Sequence, residues 1–490
     1  MKEILIGLLL LPLCNGQVWS QGTTVTVGDS PPVVFQGNGF KVGEVTADAA
    51  IVWTRLTTAE KPNWNGRRWS KPSENIKDPA PGYDGLDQIP TDASWDEMHG
   101  TLPGASGEVR LEWMSVNPGG GRGSTDWLAV DPASNHIRQI ELTGLQPGSE
   151  YQLTVESRDL SGAPGETIEG RFRTAPAADD AAEVDFTLVT CQRWPSRDAG
   201  NDGLLIYPHM LARDPDFFVH TGDVVYYDKG SPMACSVPLA RMHWNRWYGT
   251  GNIVDFHNNV ASYFMKDDHD ITVNDCYPGL DYGALTWDEG IALFEENTPA
   301  PRDSVPYRNF RWGAHLEIWL LEGREFRSEG NGGSGMTGGH VYGAEQLDWL
   351  ENSLADSTAT FKILISPTPV LGSHMPANYS TEFQRLHQMI ADNEMVVLVG
   401  DRHWQYVSRH PDLGFWEFDP GSGSDAHSVK PRNLGGTPIY SLLNWEQGGF
   451  LHGSISVEEG DPLLTLTHYL VDGSVLNTES FAAGETLRTP

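Results

Sequence analysis

The sequence predicts a two-part α+β/α/β protein: an all-β N-terminal part followed by an α/β part with a largely buried sheet. Alternating and β-branched runs recur from about residue 25 to 174, as expected for half-buried strands. After residue 183, short apolar runs alternate with helical stretches, a pattern typical of a sheet covered by helices. A small acidic segment, residues 175–183, separates the two patterns and predicts the domain boundary.

The all-β part carries one more specific signal. The segment 145–151 (LQPGSEY) precedes a strand-like run and resembles the tyrosine corner of fibronectin type III and immunoglobulin-like sandwiches. The sequence therefore predicts a fibronectin-III-like β-sandwich over residues 25–176. A polar stretch rich in Gly, Pro and Trp, residues 58–107, interrupts this sandwich and is predicted to be a long loop.

The second part is predicted to cover residues 184–490. Its last strand-like segment, 455–481, is expected to complete a sheet. Helices are predicted at 203–213, 238–248, 344–354 and 381–393, and buried strands at 186–190, 217–220, 316–321, 361–365 and 396–399.

The first 20 residues have the pattern of a secretory signal. Lys2 precedes an apolar run from Ile4 to about Leu13, which is too short to span a bilayer. We expect cleavage after Ser20 and a secreted, periplasmic or extracellular protein. The alternative is a lipoprotein signal at Cys14, which the bulky Leu13 disfavours. No other stretch is apolar and long enough to predict a transmembrane segment.

The strongly acidic composition limits the partners. A formal net charge of -33 argues against general nucleic-acid binding and against binding to an anionic membrane. An anionic substrate would need local positive charge from metal ions or arginine. The acidity also fits solubility in a salty or extracellular setting, and the oligomeric state is left open.

Three cysteines remain once Cys14 leaves with the signal. An odd number in an oxidising compartment sets one cysteine apart. Cys235 and Cys276 are predicted to form a disulfide that brackets the segment between them, which leaves Cys191 free. The alternative is three buried free thiols.

Four segments each place a metal-type ligand at the end of an apolar strand-like run. They are residues 184–192, 217–226, 266–270 with Asn274 just beyond, and 396–404. A short strand delivers its last side chain to a fixed point on a sheet edge, so four such points can converge. Oxygen ligands together with one imidazole and one thiolate indicate iron or zinc, with a calcium or magnesium neighbour.

The first two segments suggest a bridged pair of metals. Asp223 follows Gly222 at a strand tip, where a carboxylate can bridge two cations. Tyr226, three residues on, can bind ferric iron as a phenolate. Cys191 would be a soft thiolate ligand. The alternatives are an ordinary turn aspartate and a buried core cysteine.

The other two segments supply acids and imidazoles. Asp268 is predicted to be a ligand, His269 the general acid, and Asp270 the carboxylate that orients His269. The alternative is a solvated acidic loop. Asp401 and His403, two residues apart in a loop, can address two neighbouring metals.

Two arginines follow the predicted strand 316–321. Arg324 and Arg327 are three residues apart and are predicted to bind phosphate, because the planar guanidinium bonds two oxygens at once. The alternative is a surface pair bound to acids such as Glu322 and Glu325.

These segments, in this order, resemble the alkaline phosphatase D (PhoD-like) family of the metallophosphoesterase superfamily. The N-terminal runs AAIVWTRL (49–56) and GRFRTAP (170–176) resemble the domain that precedes the catalytic part in that family. The matching motifs are TCQ (190–192), HTGDVVY (220–226), DDHD (267–270) with Asn274, LEGREFR (321–327), GAEQLDWL (343–350) and GDRHW (400–404).

The resemblance implies an αββα sandwich with a dinuclear or larger metal cluster of iron and calcium, with zinc, manganese or magnesium as alternatives. It implies that His269 lies by the leaving group. Arg324 and Arg327 are predicted to be catalytic together with His269, and Asn274 and Arg324 are predicted to contact the substrate. Glu322 stands where family members often have aspartate. The resemblance implies six metal ligands, which are Cys191, Asp223, Tyr226, Asp268, Asp401 and His403.

The function predicted from the sequence is therefore a secreted metal-dependent phosphomonoesterase or phosphodiesterase. A metal-activated hydroxide would attack phosphorus in a small-molecule or polymer phosphoester. Two rivals stay open: another metal-dependent hydrolase on the same site, of phosphotriesterase or lactonase type, and a non-catalytic secreted binding protein.

Overall fold

The computed structural model describes residues 31–300, 305–328, 339–371, 380–431 and 441–486. The predicted signal segment, residues 1–20, lies outside the described residues. Within them, no helix is long and apolar enough to cross a membrane.

The N-terminal residues contribute to two sheets. A small antiparallel sheet has the order β4-β3-β7-β8, with β5 added on β3. Strands β1, β2 and β6 instead extend the sheet of the α/β part, because β1 pairs in parallel with β11. The fibronectin-III-like assignment and the domain limits stay predictions. The strands of this part are β1 Phe40–Gly43, β2 Ala49–Arg55, β3 Gly107–Ser115, β4 Arg122–Ser124, β5 Leu128–Ala129, β6 Ile137–Thr143, β7 Glu150–Asp159 and β8 Pro164–Arg173.

The larger mixed sheet has nine strands in the order β21-β20-β19-β9-β10-β11-β1-β2-β6. Its centre, β9-β10-β11, is parallel. The C-terminal strands close it on the β9 side, as the strand character of residues 455–481 predicted. The further strands are β9 Val184–Val189, β10 Phe217–His220, β11 Ala261–Phe264, β19 Gly449–Glu458, β20 Asp461–Leu470 and β21 Val475–Ala482.

The second mixed sheet has seven strands in the order β12-β13-β14-β15-β17-β16-β18. Strands β13, β14, β15 and β17 run parallel to one another. These strands are β12 Arg308–Trp312, β13 Leu316–Leu320, β14 Phe361–Ser366, β15 Val396–Val399, β16 Gln405–Arg409, β17 Trp416–Pro420 and β18 Ser441–Asn444.

Six α-helices connect these strands within the described ranges of the chain. The four predicted helices are present within a few residues of their predicted ends, whereas α3 and α4 were not predicted. The helices are α1 Ile206–Leu211, α2 Val237–Tyr248, α3 Gly251–His257, α4 Trp287–Asn297, α5 Gly343–Asp356 and α6 Ser380–Asp392.

The side chains of the strands alternate between two cores, which shows how the layers stack. On β10, Phe217 and Val219 face the core between the two large sheets, while Phe218 packs beneath the helices α1 to α3. On β14, Ile363 faces the inter-sheet core and Leu364 packs against α5 and α6. Helices therefore cover the outer face of each sheet, in the αββα order that the resemblance implied.

The stretch between β2 and β3 contains two short 3-10 helices and otherwise irregular backbone. It is tied to the α/β part by reciprocal bonds: the Gln88 side chain donates to the Met233 carbonyl at 2.9 Å and accepts from the Met233 N–H at 2.8 Å. Trp64 stacks on Trp194 with ring centroids 5.9 Å apart. This loop therefore packs beside the chain that follows β9.

Candidate metal centre

The predicted ligands lie at the carboxyl ends of parallel strands. Strands β9, β10 and β11 are neighbours, and Cys191, Asp223 and Asp268 follow them in turn. Strand β15 belongs to the facing sheet, yet its end reaches the same place, since the Asp401 N–H donates to Thr190 Oγ1 at 3.3 Å. The two sheets thus deliver their strand tips to one edge of the sandwich.

The backbone at three of these tips is strained. Cys191, Asp223 and Asp401 have φ values of 54°, 59° and 68°, in the left-handed region that non-glycine residues rarely adopt. Such conformations persist where the surrounding structure holds them, and they concentrate at functional sites. Gly222 precedes Asp223 with φ 115°, and a Cβ there would lie 2.6 Å from the Asp267 Cβ. No other residue fits this turn.

Two groups of potential ligands share Asp223. Cys191, Asp223 and His403 offer ligand atoms that all lie within 4.8 Å of one another, and so do Asp223, Asp268 and His269. Asp223 Oδ2 accepts hydrogen bonds from Tyr226 Oη at 2.8 Å and from Cys191 Sγ at 3.3 Å. The structure thus brings the predicted ligands of three segments to one carboxylate.

The fourth segment joins through His403. Its Nε2 lies 3.4 Å from Tyr226 Oη, and its ring is 4.1 Å from the ring of His427, centroid to centroid. The Asp401 carboxylate is close enough to raise the pKa of the Cys191 thiol, an effect second to that of burial and of Asp223. Asn274 is exposed, with its side chain donating to Asp275 at 2.6 Å.

The Asp223 carboxylate is buried among other acids. Burial, aided by the carboxylates around it, raises the pKa of Asp223 far above its usual range. Asp223 Oδ1 is buried and has no hydrogen-bond partner among the described residues. A buried carboxylate oxygen without a partner is costly, and a bound cation removes that cost. The residues present therefore fit a metal pair that shares Asp223.

His269 is oriented by Asp228, and the prediction that Asp270 does this is wrong. Asp228 Oδ1 lies 2.5 Å from His269 Nδ1. Burial acts to lower the pKa of His269, but the carboxylates of Asp268, Asp223 and Asp228 outweigh it and raise this pKa to about 10. The imidazole is therefore protonated at neutral pH in the metal-free protein.

Asp270 instead holds the backbone of the site. Its carboxylate accepts N–H groups from Asp223 at 2.7 Å, Val225 at 2.8 Å and Asp267 at 3.0 Å. It therefore fixes the strained turn that carries Asp223. This role could not be read from the sequence, since it depends on two chain segments meeting.

The two predicted phosphate-binding arginines have other contacts. Arg324 is buried, and its Nε donates to Asp267 while Nη2 lies 3.5 Å from Asp268 Oδ2. Arg327 donates to the Gly323 carbonyl at 3.0 Å and to Thr368 Oγ1 at 3.2 Å. The buried Arg324 thus offsets the negative charge of Asp267 and Asp268.

Glu322, which stands where the family often has aspartate, caps the loop after β13. Its carboxylate accepts the N–H groups of Arg324 at 3.0 Å and Glu325 at 2.7 Å. The nearby Lys266 is buried and lies 2.5 Å from Glu325 Oε1. The Glu322 carboxylate therefore holds the backbone of this loop in place.

The predicted disulfide is absent: Cys235 and Cys276 are both free and buried. Cys276 Sγ donates to the Asp268 carbonyl at 3.3 Å, whereas Cys235 packs in the core beneath α2. The two thiols belong to different clusters of buried side chains.

Residues that the sequence did not reveal surround the ligands. Asp228 follows Tyr226 by two positions, so the run DVVYYD contained a signal for it. His427 Nδ1 donates to the Cys191 carbonyl at 3.0 Å. Arg193 lies two residues after Cys191, and its guanidinium bonds Ser196 Oγ through Nε at 3.0 Å and Nη2 at 2.8 Å.

Residues 186–433 match the sequence profile of the PhoD-like phosphatase family. The chain belongs to this family. Alkaline phosphatase D of Bacillus subtilis (strain 168) is 22% identical over 338 residues, 58% of this chain. The alignment spans 56% of that relative, so the chain matches just over half of its length.

Two solved structures share the fold. One, described as the structure of PhoD, has a TM-score of 0.66 and 17% identity, covering 94% of this chain and 92% of its own. Purple acid phosphatase PPD1 from yellow lupin (Lupinus luteus) seeds has a TM-score of 0.60 and 14% identity, covering 91% of this chain and 75% of its own. The fold of this family member is therefore metallophosphoesterase-like.

Proposed function

We propose that this chain is a metal-dependent phosphoester hydrolase of the alkaline phosphatase or phosphodiesterase type. The observation that carries the proposal is the position of Asp223, whose carboxylate belongs to both groups of potential ligands. A shared carboxylate is what a two-metal hydrolytic site requires. The family and fold support the same reaction class.

The ligands divide by chemistry into two metal positions. Cys191, Tyr226 and His403 on one side of Asp223 suit iron, which accepts thiolate, phenolate and imidazole. Asp268 and Asp401, with oxygen donors only, suit calcium or another hard cation such as magnesium or manganese. When bound, these metals supply Lewis-acid activation of water and of the phosphoryl oxygens.

The protein's own groups handle the proton and the fixed geometry. His269 is held by Asp228 through Nδ1, which leaves Nε2 as the proton donor to the leaving oxygen. Asp270 keeps the Asp223 turn in place through three backbone N–H groups. Arg324 balances the charge of Asp267 and Asp268, so both acids can be buried together.

The site of action proposed for this enzyme is outside the cytoplasm. The support is the charge and apolar pattern of residues 1–20. Expression of the full chain with detection in the medium, periplasm and cell fractions tests this. Retention in the cytoplasm with an intact N-terminus would contradict it.

The first test of the function is metal content of the purified protein, paired with hydrolysis of p-nitrophenyl phosphate and bis-p-nitrophenyl phosphate. We expect bound iron, with or without calcium, and turnover that chelation abolishes and metal return restores. Metal without turnover on either ester would refute the phosphoesterase and favour another hydrolase or a binding protein. Protein that binds no metal would refute the ligand assignments.

A further inference from the structure

The candidate metal centre lies in a strongly acidic protein, so an anionic substrate needs a nearby cation that is not already neutralised. The formal net charge is -33. Arg324 is paired with Asp267 and Asp268, and Lys266 is paired with Glu325. The charges of Arg324 and Lys266 are therefore offset by protein carboxylates.

Arg402 is also committed to the interior. It is buried, and its guanidinium lies over the Trp404 ring at 5.0 Å. Its charge acts on the buried carboxylates Glu417 and Asp419: burial raises the pKa of both, and Arg402 partly offsets the rise. Arg402 is therefore buried beside two acids of the second sheet.

Arg193 is half-buried and, unlike Arg324 and Lys266, has no carboxylate partner within the part of the chain that the structure describes. Its guanidinium is held by a neutral hydroxyl, Ser196 Oγ, through Nε and Nη2. Ser196 Oγ in turn donates to the Ala426 carbonyl at 3.3 Å. A guanidinium that is held in place without a carboxylate partner can bind an anionic ligand.

The position of Arg193 connects it to the iron side of the proposed metal pair. Ala426 precedes His427, whose Nδ1 lies 3.0 Å from the Cys191 carbonyl and whose ring centroid lies 4.1 Å from that of His403. The hydrogen bond from Ser196 to Ala426 therefore ties the Arg193 guanidinium to the segment that carries His427, next to His403.

We propose that Arg193 binds the phosphoryl oxygens of the substrate, in the role that the sequence suggested for Arg324. The proposal rests on the proposed function for its substrate class. Arg193 is half-buried, so it is open to a ligand on one side and oriented on the other. Its planar fork can bond two phosphate oxygens at once.

Inorganic phosphate binding to the metal-loaded protein tests the proposal directly. We compare wild type with Arg193→Gln and Arg193→Lys by titration calorimetry, and confirm metal content and melting temperature for each. We expect Arg193→Gln to weaken phosphate binding about 10- to 100-fold, the size of a lost charged hydrogen bond. Arg193→Lys is expected to fall between the two, since it keeps the charge but loses the fork.

Arg197→Gln is the matched control on the same loop. Its guanidinium stacks on Trp194 at 4.0 Å and donates to the carbonyls of Gly200 and Trp194, away from the ligands. We expect unchanged phosphate affinity. Equal weakening by Arg197→Gln would overturn the specific role of Arg193.

The outcomes separate this proposal from the function itself. Wild-type phosphate affinity in Arg193→Gln, or no phosphate affinity in the wild type, overturns the role of Arg193. If Arg193→Gln does not fold, Arg193→Lys is the test. Unchanged phosphate affinity in Arg193→Lys would then overturn the proposed role of Arg193. Arg193-dependent phosphate binding without ester hydrolysis by the wild type supports the anion site and refutes the phosphoesterase.

Discussion

Two adjacent strand tips show opposite ways of using buried acids. After β11, Asp267 is paired with Arg324, and Asp270 accepts three backbone N–H groups. After β10, Asp223 has one oxygen with no partner and the other surrounded by a hydroxyl and a thiol. At the first tip Asp267 has an arginine partner, although its Oδ2 makes no hydrogen bond, whereas Asp223 forms no ion pair with Lys, Arg or His among the described residues.

The difference indicates which acid stabilises the fold and which acid binds a metal ion. A buried carboxylate with protein partners stabilises its surroundings, while a buried carboxylate without them costs stability until something binds. Asp268 shares features of both acids. Burial acts to raise its pKa, but Arg324 and His269 lower this pKa below its usual range. It is therefore ionised and ready to bind a metal.

The largest effect is expected from Asp223→Asn, which keeps the shape but removes the bridging charge. We expect loss of metal from both positions and a fall in kcat/KM greater than the about 100-fold typical of residues that only support a ligand. Metal analysis and ester hydrolysis measure this. Asp472→Asn is the control, because Asp472 is a turn acid bonded to Ser474. Retention of both metals in Asp223→Asn would contradict the bridge.

At the tip of β11, we expect substitution of the arginine partner to reduce stability rather than metal binding. Arg324→Gln leaves Asp267 buried without its charge partner, so the free energy of unfolding should fall by about 3–5 kcal/mol. Urea denaturation measures it. Arg327→Gln, with its hydrogen bonds to Gly323 and Thr368, should cost about 1 kcal/mol. If Arg324→Gln lost activity but kept its stability, Arg324 would instead be assigned to substrate binding.

An intermediate effect is expected at Asp228, which supports His269. Asp228→Asn should lower kcat about 10- to 100-fold with metal content unchanged. The loss should be larger for an alkyl phosphate than for p-nitrophenyl phosphate, since a good leaving group needs less protonation. Equal losses on both substrates would argue that His269 does not donate the proton.

Local patterns predicted much of this fold because local rules govern it. Residues 217–220 and 396–399 are strands with the predicted bounds, since each is a short apolar run ended by Gly-Asp or a turn. The structure brings Cys191, Asp223 and His403 together in one group and Asp223 and Asp268 in another, and their role as metal ligands stays a prediction.

What failed depended on contacts between distant segments. The partner of His269 is Asp228, which is 41 residues away and was passed over for the adjacent Asp270. The disulfide prediction counted cysteines but could not measure separation. Helices α3 and α4 were missed because their strongly buried faces carry aromatic and polar residues such as His257 and Asn297, which weaken an amphipathic pattern.

The smallest effect is expected far from both tips, in the N-terminal sheet. Tyr151 Oη accepts a hydrogen bond from the Gln146 N–H at 2.9 Å, and its ring stacks on Phe172. Tyr151→Phe keeps the ring and removes the bond, so unfolding free energy should fall by about 1 kcal/mol with kcat and metal content unchanged. Urea denaturation with parallel assays measures this. A change in kcat would show that the small N-terminal sheet, to which β7 belongs, helps to position the strand tips.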